Sequence, residues 1–83
     1  MLKIEKLVCK NPEFHKDCRW KYMGLTYPDA QYIIIKRRLE QRVRASNMAY
    51  RISHDKLGLL ITLKLGHDGW LFSNEDKGKI NRL

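Results

Sequence analysis

Arginines and lysines, three histidines and two cysteines are the residues here with chemistry to offer. The run from Lys36 to Arg51 is the most concentrated. Lys36, Arg37, Arg38, Arg42, Arg44 and Arg51 stand against a single acid, Glu40, in a chain of net charge +8. Like charges packed so closely repel one another unless an anion lies against them, so the segment points outward, toward a polyanion. An ordinary solvated helix face mixes its signs for pairing one turn apart. Here Glu40–Arg44 is the one favourably ordered pair.

Arg19-Trp20-Lys21-Tyr22 is the second constellation. Cations interleaved with aromatics suit single-stranded nucleic acid, whose bases stack on rings while the cations hold phosphates. The competing expectation is burial. A small protein needs its tryptophans for the core, which favours Trp20 and Tyr22 on the strand face beneath a helix.

His15, His54 and His67 raise the question of a small basic ribonuclease, with a histidine as general acid or base. Each sits in a polar turn, and adjacent side chains such as His54-Asp55 and His67-Asp68 diverge, so no oriented dyad follows. Cys9, His15 and Cys18, with His54 or His67 as a fourth ligand, lack the close Cys-x-x-Cys spacing of zinc sites. No glycine-rich phosphate loop is present. No catalytic residue, metal ligand or cofactor is assigned.

The elements that must position these groups follow from composition and period. Eighty-three residues form one domain near the lower limit for a self-sufficient core. At 43% hydrophobic and 31% charged the chain is globular, and its pI near 9.8 suits a phosphate-rich partner. No stretch has the length of a membrane span. Lys3 and Lys6 interrupt the N-terminal apolar run, so it does not read as a signal peptide. With no mark of secretion, Cys9 and Cys18 are expected as free thiols in the cytoplasm.

Residues 2–9 alternate as a strand broken at Asn11-Pro12, and Cys18 to Met23 alternate again up to Gly24. Thr26 or Tyr27 would cap a helix with Pro28 in its first turn, running to about Ala45. Tyr32, Ile35, Leu39 and Val43 form its apolar stripe, and Arg37, Arg38 and Arg44 lie opposite. Ile34 falls among the arginines. The β-branched run Tyr32–Ile35 keeps a strand in play there.

Beyond Asn47 the period is two. Met48 to Ser53 is a strand and His54-Asp55-Lys56 a turn. Leu57, Leu59, Ile61, Leu63 and Leu65 mark one face of a central strand, with Leu60 on the outer face. Gly66 to Gly69 make a hairpin turn, and Trp70 to Phe72 return. Residues 1–73 are thus expected as one α+β domain, an antiparallel sheet with a basic helix on one face in the order β-β-α-β-β-β. Residues 74–83 are expected as a flexible polar tail.

The expected function is nucleic-acid binding by occupancy or sequestration, RNA ahead of DNA because of Arg19–Tyr22 and because DNA-reading motifs are missing. Lys36, Arg37, Arg38, Arg42, Arg44 and Arg51 would carry it, with Arg19, Lys21, Trp20 and Tyr22 extending the track. Size and charge fit the small regulators that viruses and mobile elements direct at host machinery; the expected location is the cytoplasm, that of the host if the chain is virus-encoded. The rival is an inhibitor docking on an acidic host protein, with Ile34 as its anchor. Ile33, Ile34 and Leu60 also point to a homodimer.

Overall fold

In the computed structural model, which describes residues 1–11 and 16–83, the alternating segments pair as one antiparallel sheet. Its strands are β1 (Leu2–Asn11), β2 (Lys16–Tyr27), β3 (Tyr50–His54), β4 (Gly58–Leu65) and β5 (Leu71–Glu75). A 3-10 turn at Asp29–Gln31 leads into α1 (Tyr32–Ser46), and α2 (Lys77–Ile80) closes the chain. Across the sheet the strands run β2-β1-β3-β4-β5, and α1 packs over β3, β4 and β5. The fold is a small α+β domain in the expected element order, with α2 added.

Apolar periodicity explains the layers. Tyr32, Ile35, Leu39 and Val43 are all buried, so the stripe faces the sheet and the β-branched run is helical. Beneath them lie Leu2, Ile4, Tyr50, Ile52, Ile61 and Leu63. The helix ends where Asn47 turns left-handed (φ 53°) and its N–H bonds to the Val43 carbonyl at 3.0 Å. That is a closure asparagine tolerates.

The structure corrects several expectations about the elements. Thr26 and Tyr27 do not cap the helix; they complete β2, paired with Lys3 and Leu2. The ladder shifts between these pairs and Glu5–Tyr22, where β2 carries the extra residues and Gly24 takes φ +79°, a value that favours glycine. Leu59 and Leu60 exchange roles. Ile52 pairs with Ile61 but Ser53 pairs with Leu59, so Leu60 is the extra residue of a bulge. Leu60 is consequently 1% exposed and Leu59 43% exposed. Leu57 and Leu65 pack only partly, at the strand ends.

Residues 74–83 are packed rather than a bare tail. Asn74 and Glu75 belong to β5, Asp76 caps α2 by accepting from the Lys79 N–H, and Ile80 and Leu83 lie against the core. The Asp76 N–H also bonds the bulged Leu60 carbonyl at 2.8 Å, which ties α2 to the bulge.

Cys9 and Cys18 are not free thiols. The β1–β2 register sets them directly opposite one another, and they form a disulfide. It stands beside the connection that contains His15, which lies outside the described residues.

Candidate nucleic-acid interface

Alternation along β3 divides the expected basic face in two. Tyr50, Ile52 and His54 are buried beneath α1, so Arg51 between them points to the other side of the sheet. There its Nε and Nη2 donate to Glu5 Oε1 and Oε2 at 2.9 and 3.0 Å. Its guanidinium also lies 4.6 Å from the centre of the Trp20 ring. The charge run is continuous in sequence, but the sheet separates its two ends.

On the helix, Lys36 is also engaged. Its Nζ donates to Glu75 Oε2 at 2.8 Å, and the Tyr32 hydroxyl donates to the same oxygen at 2.8 Å. The Lys36 bond, with help from Tyr32, holds the Glu75 carboxyl below the usual range. Burial and then the Glu75 bond push the Tyr32 hydroxyl upward. Arg37, Arg38, Arg42 and Arg44 remain exposed on α1, and none takes part in an ion pair among the described residues. Ile33 and Ile34 lie beside them at 51% and 53% exposure.

Trp20 and Tyr22 do not pack beneath the helix. In the ladder Trp20 is opposite Leu7, Tyr22 opposite Glu5, and Glu5 opposite Arg51, so both rings share Arg51's face. The helix buries the other side, with its main footprint on β3, β4 and β5. Arg19 and Lys21 alternate with the rings and take the helix side, paired with Val8 and Lys6. Lys21 directly opposes Lys6, an unfavourable like-charge pair that an anion would relieve.

Continuing the register brings in residues that short-range reading missed. Arg51 pairs with Thr62 and Thr62 with Asn74; Lys64 pairs with Phe72 on the same face. Lys64 Nζ lies 5.2 Å from the Phe72 ring centre, and Lys3 Nζ lies 6.0 Å from that of Tyr22. Trp70, two positions before Phe72, is 76% exposed at the β4–β5 turn. The alternation of Lys64 and Phe72 was visible in the sequence; the pairing that made a surface of it was not.

His54 has a structural place. It ends β3 rather than forming a turn, and Nδ1 accepts the Lys56 and Leu57 N–H groups, each at 3.1 Å. That fixes the proton on Nε2, which donates to Asp29 Oδ2 at 3.1 Å. The carboxylate that accepts its proton is therefore Asp29, across the fold; Asp55 Oδ1 lies 3.3 Å from Nδ1, so the adjacent side chains meet rather than diverge as expected. The Met1 amine lies 3.1 Å from Asp29 and 3.2 Å from Asp55, and holds both carboxyls low. His67 is exposed in the β4–β5 turn, apart from His54.

With Cys9 and Cys18 bridged, the metal set considered from sequence has no thiolate to offer, and no other metal-binding cluster occurs among the described residues. No described helix is long and apolar enough to cross a membrane. Comparison with protein-family models, curated proteins and solved structures finds no match for this chain.

Proposed function

We propose that this protein binds nucleic acid, RNA ahead of DNA, and acts by occupancy rather than catalysis. The observation that carries the reading is the set Arg37, Arg38, Arg42 and Arg44: exposed on one helix, with no carboxylate paired to them among the described residues. A helix of this length spans roughly 22 Å, enough to meet several phosphates. Phosphate contacts position a protein without reading sequence, which fits a masking or sequestering role. Arg19, Lys21 and Lys6, on the helix side of the sheet, extend the cationic track.

Salt titration of oligonucleotide affinity is the test. Four phosphate contacts give a log–log slope of about −2.8 on single strands or −3.6 on duplex, and each Arg→Ala change flattens it by nearly one unit. A shallow slope indifferent to these arginines overturns the reading.

Docking on an acidic host protein is the second reading, favoured by Ile33 and Ile34 exposed next to the arginines. Under it Ile34→Ala is the most damaging change and oligonucleotides bind weakly. The same isoleucines would serve a homodimer; buried Leu60 takes no part. Cytoplasmic residence belongs to the nucleic-acid reading, and the Cys9–Cys18 bridge weighs against it, because reducing compartments keep thiols free.

A further inference from the structure

We propose that the sheet face opposite α1 is a second binding site, a base-stacking platform for single-stranded nucleic acid. It rests on the reading of this protein as a nucleic-acid binder, but not on the helix arginines.

Register assembles the site. One row across the sheet holds Trp20, Leu7, Lys64 and Phe72; the next holds Tyr22, Glu5, Arg51, Thr62 and Asn74. Rings therefore stand near both edges, on β2 and β5, with polar and cationic groups between them. Four strand spacings separate those edges by roughly 19 Å, a span for several nucleotides rather than one. Among the described residues α1 packs on the opposite side, and Tyr22 and Phe72 are both exposed.

Each ring has its own cation: Lys3 at Tyr22, Arg51 at Trp20 and Lys64 at Phe72. Glu5 clamps Arg51 through two hydrogen bonds, so its guanidinium plane is held in place before any ligand arrives. An occupant must offer flat π surfaces at the rings and negative charge at Lys3 and Lys64. Unpaired bases on a phosphate backbone offer both, and stacking accepts every base because each has a π face. A duplex keeps its bases stacked inside and cannot present them to a flat sheet. A second copy of the chain would bring a face with an excess of cations, Lys3, Arg51 and Lys64 against Glu5, onto another of the same sign.

Tryptophan fluorescence tests this directly. In a Trp70→Phe background Trp20 is the sole tryptophan, since the chain has two. An oligouridylate of about twelve nucleotides, a length within the range such platforms hold, should quench it, and the matching duplex should not. Phe72→Leu keeps an apolar side chain but removes the ring, and should weaken single-strand binding roughly 5- to 100-fold. Tyr22→Leu, at the other edge, is the independent second variant and should act alike.

Equal quenching by duplex, or unchanged affinity in both ring variants, overturns the proposal. Matching quenching by anionic phospholipid vesicles also overturns it, as does a dimer in light scattering that Phe72→Leu dissociates. Oligouridylate binding with an arginine-dependent salt slope but no quenching removes the sheet site and leaves the helix reading intact. Quenching with a slope indifferent to Arg37, Arg38, Arg42 and Arg44 does the reverse.

Discussion

The outer face of α1 and the open face of the sheet are both cationic, yet they hold their charge differently. On the helix, Arg37, Arg38, Arg42 and Arg44 are exposed and have no ion-pair partner among the described residues. On the sheet, Arg51 is clamped by Glu5 and laid against Trp20, and Lys64 sits beside Phe72. Exposed cations without a carboxylate partner suit a polyanion met at many points, with little demand on geometry. Cations fixed beside rings suit a ligand with a plane to recognise. Charge count alone would not have told these surfaces apart; the partners of each charge do.

The largest expected effect falls on the layer both faces share. Ile61 is fully buried beneath α1, and Ile61→Ala should cost about 2–5 kcal/mol. Chemical denaturation checks this, and binding by the folded fraction should keep its salt slope. If the variant unfolds like the parent, the two faces do not depend on a common core.

Removing the disulfide should separate the faces. Replacing Cys9 and Cys18 together by serine frees a short loop, and loop-closure entropy puts the cost at roughly 2–3 kcal/mol. The bridge anchors the hairpin that carries Trp20, so single-strand quenching should weaken while the arginine-dependent slope persists. Loss of both would mean that the helix face needs the hairpin.

Glu5→Gln sharpens the contrast within the sheet. It removes the charge that positions a partly buried Arg51 and should cost about 1–3 kcal/mol by thermal melting. Acid should act on the helix side through Glu75. Its carboxyl is depressed from an ordinary value of 4.5, first by the Lys36 bond. The stability it adds is therefore fully present above that value and lost as pH falls through the lower folded value. Melting temperatures measured on acidification should show this loss, and Glu75→Gln should remove that part of it.

Arg38→Ala should have the smallest effect on folding, within about 0.5 kcal/mol, because the side chain is exposed and has no ion-pair partner among the described residues. Its effect on binding should still be visible as a slope reduced by nearly one unit. A change in stability without a change in slope would turn the helix face into a structural feature.

Much of the architecture was legible because period reports burial. Tyr32, Ile35, Leu39 and Val43 repeat at helical spacing and are buried as that spacing requires, and β1, β3 and β4 each carry a period of two. Asn47 ends the helix where its tolerance of a left-handed turn allows. These are local properties, set by backbone geometry within a few residues.

What tertiary structure decided depends on pairing between strands distant in sequence. The bulge at Leu60 reversed the sides of Leu59 and Leu60, since one extra residue puts the stretch before it out of phase with Ile61 and Leu63 after it. The register brought Cys9 against Cys18, and it placed Trp20 beside Arg51 on the side away from the helix. Arg51 belongs to the basic run by sequence and to the opposite surface by structure, because a strand alternates its faces whatever the charge of its neighbours. Sequence by itself determined that this chain is a basic α+β domain with a charged helix. Only the assembled sheet decided which cations stand together, which are already paired, and which rings they meet.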